Sequence, residues 1–200
     1  MSRRDLVAPP AATDRGRRRR AAVLDAAERL FVTQGFHAVS VDDLGAAAGI
    51  TGPGLYRHFA SKDAILMAVL DRVWERLAPA VGDAERLAPA PALERLLVAH
   101  LDLAMEHPAA LELLFRELER LPADYRELAR RNHRRYVAAW TAAIAGTRAD
   151  LEPDEARVIA LAVHGLLDSA ALRGDVQPDG LDTGARRALL EASARRVLAA

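Results

Sequence analysis

VSVDDLGAAAGITGPGLYRHFASK, running from Val39 to Lys62, contains two short helical stretches and the bend between them. Ser40 sets a hydroxyl where it can cap the first free backbone N–H groups, with Asp43 three residues on. Val41, Leu44 and Ala48 recur at i, i+3 and i+7, one apolar face. Gly49 falls where a helix end needs positive φ, and Ile50 can plug the turn. Thr51 can cap a second helix with Leu55 and Phe59 inward, leaving Tyr56, Arg57 and His58 outside. Two short helices joined by a Gly-containing turn, the second with a polar outer face, form the pattern of a helix-turn-helix that reads DNA. The same spacing also fits an ordinary helical hairpin in a packed core.

The wording of the segment separates these readings. AGITGPGLYRHFASKDAIL, Ala48 to Leu66, closely resembles the signature of the tetracycline-repressor-like (TetR) family of bacterial regulators. In that family a glycine-containing turn ending in Ser or Thr leads into a recognition helix with Leu-Tyr and His-Phe, and Ser-Lys-Asp/Glu opens the next helix. Tyr56, Phe59, Ser61, Lys62 and the Gly49–Thr51 turn all fall in register, and the likeness covers about residues 18–70. The rest of the chain is similar only in length and helical character. The resemblance implies an all-α chain of about nine helices. A three-helix helix-turn-helix DNA-binding domain (residues 15–64) would be followed by an effector-binding and dimerisation domain (65–200).

It also implies where DNA is met. Thr51 at its helix start suits a phosphate, and Ser40 opens the preceding helix. Tyr56 and His58 match contact positions, Lys62 matches a phosphate anchor, and Arg57 either reads guanine or neutralises phosphate. Gly52, Pro53 and Gly54 depart from the commoner family pattern, which puts a basic and a polar residue there. The glycines permit close backbone approach and Pro53 can touch a thymine methyl. Fewer direct base hydrogen bonds are expected, with more weight on DNA shape. Arg15 and Arg17–Arg20, with Arg17 and Arg18 as the named contacts, would oppose the dipole of a helix beginning there. Phosphate or minor-groove contact by an arm explains that choice; a solvated basic tail is the alternative.

The chain as a whole bounds the remaining classes. Its 200 residues carry no net charge, but residues 1–64 hold ten Lys/Arg against seven Asp/Glu, and the remainder is correspondingly acidic. With no cysteine, disulfides and thiolate metal sites are excluded. No apolar run is long enough to span a bilayer and no signal-peptide core opens the sequence, so a cytoplasmic protein without membrane contact is expected. Residues 1–14, rich in Pro, Ala and Arg, read as a disordered tail. Helices are expected over about 18–34, in the two stretches above, from Ser61 to near Pro79, over 92–106, before Pro122, over 123–145, from Pro153 to Gly174, and after Thr183.

Trp74, Phe115, Tyr136 and Trp140 fall on helices that the resemblance wraps around an effector cavity, with His100 and His164 available to orient an unknown small molecule; taken one by one, the four rings fit plain core packing better. Arg130, Arg131, Arg134 and Arg135 either meet an anionic ligand or form a solvated face paired with Glu112, Glu117 or Glu119. The resemblance further implies a homodimer through the last two helices, reading a pseudo-palindromic double-stranded operator. Ala160, Gly165 and Ala170 would permit close approach, and Leu166, Leu190 and Leu198 would supply apolar area. Ser-nucleophile elbows, Walker loops, dinucleotide-binding glycine triplets and His-Glu-x-x-His are all missing, so neither an enzyme, a cofactor nor a metal site is expected. The resulting reading is a sequence-specific DNA-binding regulator, a repressor released by a small-molecule effector. The alternative is an architectural or activating DNA binder without one.

Overall fold

The computed structural model describes residues 13–171 and 180–200. Among them are nine α-helices and no strand: α1 (Asp14–Gln34), α2 (Val41–Ala47), α3 (Gly52–Tyr56), α4 (Lys62–Ala84), α5 (Pro89–Glu106), α6 (Pro108–Glu117), α7 (Ala123–Thr147), α8 (Pro153–Asp168) and α9 (Thr183–Ala199). Short 3₁₀ turns follow α6 and α8. The all-α expectation holds. The expected end of the eighth helix at Gly174 and most of the N-terminal tail lie outside the described residues.

The chain forms two compact units. The first takes residues up to Arg72 together with Glu112–Leu128, and the second takes Val73–Leu111 with the rest. The boundary at residue 64 drawn from the motif therefore falls inside α4. Continuous helices α4, α6 and α7 each give residues to both units.

In the first unit, the expected stripe of α1 is buried at Val23, Ala27 and Phe31, against Leu44, Leu55, Phe59 and the α4 residues Ile65, Leu66, Val69 and Leu70. A fully buried side chain of this size contributes roughly 1.5–3 kcal/mol, so this cluster dominates the stability of the first unit. Leu113, Leu121 and Tyr125 join the same core, and the Tyr125 hydroxyl donates to the Met67 carbonyl at 3.0 Å. Arg72 ties α4 to α1 by donating to Asp25 at 2.7 Å and to the Ala21 carbonyl at 3.3 Å.

Two expected boundaries shift, and one helix buries a different face. Thr13 rather than a residue near 18 caps α1, accepting from the Gly16 N–H, and Asp14 offsets part of the unfavourable charge of the arginines behind it. Arg15 and Arg17–Arg20 thus lie within the first two turns of α1 and not on a free arm. Pro79 sits inside α4 and does not end it. The loss of one backbone donor is tolerated there because Leu77, Ala80 and Val81 around it are buried. On α6 the core side runs through Ala110 and Leu113 to Leu121, not through Phe115.

The second unit packs α5, α7, α8, α9 and the later turns of α4. Gly146 lets α7 cross the start of α5, because a Cβ there would fall 2.4 Å from Pro89 Cγ. Arg195 on α9 donates to both carboxylate oxygens of Glu94 on α5. No described helix is long and apolar enough to cross a membrane.

Candidate functional site

Local chemistry fixes the α2–α3 pair. Ser40 accepts from the Asp43 N–H at 3.1 Å while Asp43 accepts from the Ser40 N–H at 2.8 Å, a reciprocal capping box. The Ser40 hydroxyl also meets Asp43 at 2.6 Å, and these bonds hold the Asp43 carboxyl below its usual range. At the other end the Ile50 N–H reaches the Gly45 carbonyl and the Gly49 N–H reaches Ala46, with Gly49 at φ +66°. This is a Schellman closure, with Ile50 packed on the core as its apolar plug.

One residue that sequence reasoning missed makes the pair possible. A Cβ on Gly45 would lie 2.8 Å from the Ile50 carbonyl oxygen, so only glycine lets the turn fold back onto α2. Its signal was a glycine inside a seven-residue helix, a costly choice without a packing reason.

Thr51 caps α3 by accepting from the Gly54 N–H at 3.3 Å, and Pro53 stands in its first turn. Leu55 and Phe59 are fully buried. Tyr56 is 56% exposed, Arg57 and Pro53 are exposed, and His58, Gly52 and Gly54 are partly so. Ser40, Thr51, Arg17 and Arg18 are exposed as well. Gly52 has a nearer role than DNA approach, since a Cβ there would lie 2.9 Å from the Asp42 carboxylate.

Lys62 also has partners within the chain. Its ammonium donates to the carbonyls of Phe36 and Val39, each at 2.8 Å, approaches that of His37 at 3.5 Å, and lies 4.4 Å from the Phe36 ring centroid. With its donors aimed at the loop before α2, Lys62 ties the start of α4 to that loop, a role the motif did not suggest. Arg120 covers the same ring at 4.1 Å and pairs with the buried Glu117 at 2.8 Å.

In the second unit five of the six expected sensor residues belong together. The Asp168 carboxylate meets His100 Nε2 at 2.9 Å, and His100 Nδ1 meets the Tyr136 hydroxyl at 3.0 Å. The His164 ring stacks on Tyr136 (5.0 Å, 19°) and stands edge-on to Trp140 at 5.0 Å. Trp74 lies 6.5 Å from the ring of His133. Burial holds His164 far below its usual range, to about 3, with His100 and His133 adding to the effect. Burial also raises the Tyr136 phenol well above its ordinary value. Both rings are therefore neutral near pH 7. The indole N–H of Trp140 leans toward the Tyr136 oxygen without reaching bonding geometry. Trp74 Nε1, Trp140 Nε1 and His164 Nε2 are all buried without a partner. A recess of about 90 Å³, walled by Trp74, Leu77, Ala78 and Val81 of α4 and Asn132, Arg135 and Tyr136 of α7, opens beside them.

Phe115 does not belong to this site. It is 63% exposed and lies in the first unit, about 200° around α6 from the buried Leu113. Arg135 also departs from expectation by pairing with Glu85 at 2.7 Å; Glu112, Glu117 and Glu119 take Arg116, Arg120 and Arg126. His133 and Asp168 are members the sequence did not suggest. No cluster of three or more metal-ligating residues occurs among the described residues.

A capped helix, a glycine turn and a second helix with an exposed Tyr-Arg face define a helix-turn-helix DNA-binding transcriptional regulator. The family model for bacterial regulatory proteins of the tetR family matches residues 23–69, and that for the tetracyclin repressor-like C-terminal domain matches residues 87–172. The HTH-type transcriptional regulator EthR of Mycolicibacterium smegmatis is 32% identical over 147 residues, covering 68% of this chain and 67% of EthR. The chain belongs to the TetR family. The HTH-type transcriptional activator FasR of the same organism is 41% identical over 68 residues, spanning 34% of this chain but only 31% of its own length. Among solved structures, AibR in complex with isovaleryl coenzyme A and operator DNA shares the fold, with a TM-score of 0.68 and 22% identity over 88% of this chain and 95% of that one.

Proposed function

We propose that this regulator is a homodimeric repressor that binds a pseudo-palindromic operator through Tyr56, Arg57, His58, Thr51 and Ser40. The α3 residues Gly52, Pro53 and Gly54 are close to the bases, and Arg17 and Arg18 of α1 lie on phosphate. A small molecule bound at the Trp74–Tyr136–Trp140–His100–His164 cluster releases it. The carrying observation is that three ring nitrogens of this cluster, Trp74 Nε1, Trp140 Nε1 and His164 Nε2, are buried without a partner. Native cores rarely leave such groups unpaired, and a ligand is the ordinary way to satisfy them. The AibR structure, with a small molecule and operator DNA on one fold, supports a two-ligand reading.

Dimerisation is supported by an apolar stripe left open on α8, where Val158 and Leu161 are 66% and 44% exposed and Ala162 and Gly165 share their face. Leu189 is likewise exposed on α9. Ala160 and Ala170 are buried within the chain itself and drop out of the interface. A two-fold dimer sets its recognition helices one DNA turn apart, about 34–36 Å, so a small change in α4 weakens both half-site contacts together. A coupling of about 1–3 kcal/mol gives roughly 5–150-fold release. The match to FasR favours an activator as the second reading.

The test is native mass spectrometry and DNA-binding titration of protein purified from its host. Two chains per operator are expected, carrying a small molecule whose removal tightens DNA binding. A protein that binds operator as a monomer, or whose DNA affinity ignores every bound molecule, overturns the proposal. In a reporter assay, deletion raises expression from the operator if the protein represses and lowers it if it activates.

A further inference from the structure

Building on the reading of the second unit as a sensor, we infer that its ligand is an uncharged, flat, mostly apolar molecule. A carbonyl acceptor on it (ketone, ester or amide) is received by the indole N–H groups of Trp74 and Trp140. Indole nitrogen only donates, so the partner these two buried atoms lack is an acceptor. Trp140 is fully buried, which leaves no room for solvent to supply that acceptor in this arrangement.

The charges nearby argue against an ion. Arg135, the one Lys or Arg among the residues lining the recess, is held by Glu85. Asp168 is bonded to His100, and its negative charge repels a carboxylate or phosphate. His133, His164 and Tyr136 face the cluster, and burial disfavours the charged form of each. The charge an anion would meet, Arg135, is already paired with Glu85, and the one a cation would meet, Asp168, is already bonded to His100, so neither ion recovers its desolvation cost. Two rings, Trp74 and Tyr136, and the aliphatic Leu77, Ala78 and Val81 make up most of the wall, with Asn132 and Arg135 completing it, a lining suited to a flat, mostly apolar body.

Tyr136 connects the two parts of the site. It walls the recess on one side and stacks on His164 on the other, with its hydroxyl tethered through His100 to Asp168. At about 90 Å³ the recess is well below the roughly 300 Å³ of a typical ligand pocket. Tyr136 lines the recess and its ring lies 6.3 Å from that of Trp140, so a ligand that reaches Trp140 from the recess displaces this ring as it enters.

The chain has two tryptophans, so ¹⁵N-labelled protein gives two indole N–H resonances, assigned with Trp140→Phe. Titrating operator-free protein with 1-indanone, indane and 1-indanecarboxylate separates acceptor, shape and charge. The ketone should bind at least tenfold more tightly than indane and move an indole proton downfield, and the carboxylate should not bind. Trp140→Phe should lower ketone affinity at least fivefold and leave that of indane unchanged. Should that variant unfold, the indole shifts of the unsubstituted protein decide alone. Carboxylate binding equal to the ketone's, indane equal to the ketone, no binding by any probe, or an intact ketone preference in Trp140→Phe overturns the inference. Operator affinity measured in the same titration keeps the two readings apart. A ketone that binds as expected without changing DNA affinity refutes the sensor assignment and leaves this chemistry standing. Operator release by a charged molecule does the reverse.

Discussion

Replacing Lys62 by Met distinguishes two roles for one residue. A phosphate anchor predicts a surface effect: the salt slope of DNA binding falls by about one unit and thermal stability is unchanged. The observed contacts predict the opposite. Lys62 makes two 2.8 Å bonds to the Phe36 and Val39 carbonyls and covers the Phe36 ring. Hydrogen bonds from charged donors contribute about 1.5–3 kcal/mol each, and a cation over an aromatic face adds about 0.5–1 kcal/mol. Both carbonyl contacts are partly buried, so the lower ends apply, and the total is about 3.5 kcal/mol. Methionine keeps the aliphatic stem and leaves two carbonyls unpaired. For a chain of this size the melting temperature should fall by roughly 7–14 °C. Operator affinity should weaken because the loop before α2 loosens, with the salt slope preserved. Calorimetry and a salt titration of DNA affinity on the same preparation check both. An unchanged melting temperature with a slope reduced by one would refute the reasoning and restore the phosphate anchor.

Gly45→Ala should destabilise the protein by about 1–3 kcal/mol in chemical denaturation, because its Cβ meets a backbone oxygen at 2.8 Å that no rotamer can move. Tyr56→Phe should weaken operator binding by about 1 kcal/mol with no change in melting temperature, measured by DNA titration. His164, held to about 3 when folded, takes up a proton below its ordinary 6.5 only when unfolded, so stability falls as pH drops through the window from 6.5 toward 3. Its share is about 1.4 kcal/mol per pH unit, and His133 acts in the same direction. Asp43, Glu94 and Asp150 are held low by their own partners and matter only below about pH 4.5, so denaturant midpoints at pH 7 and 5.5 isolate the histidines. His164→Phe should flatten that difference, and equal midpoints in the unsubstituted protein would contradict the assignment.

The helix-turn-helix was legible because its determinants are local. A hydroxyl at Ser40, a glycine at Gly49 and a four-residue spacing from Leu55 to Phe59 each act within one or two turns of chain, where sequence order and spatial order agree. Lys62 looked like a surface charge for the same reason: its partners lie 23–26 residues away, and no spacing rule links a lysine to the carbonyls of a preceding loop. The inclusion of residues 112–128 in the first unit was hidden likewise, since Leu113, Leu121 and Tyr125 pack on helices some fifty or more residues earlier.

The ring cluster of the second unit shows where periodicity alone stops. Trp74, Tyr136 and Trp140 were found by counting large rings on helices expected to converge, and the same count admitted Phe115. Large rings occupy any apolar-looking position, but only helix phase decides which face is inward, and α6 is phased on Ala110 and Leu113. The members that give the site its chemistry are polar ones. Asp168 closes the end of α8 and holds His100, which in turn holds Tyr136, so a carboxylate that looked like a surface residue fixes the orientation of a buried phenol. That chain orients Tyr136 beside the unpaired indole of Trp140. The polar order of the cluster therefore comes from three residues on three helices, none within thirty positions of the next in sequence.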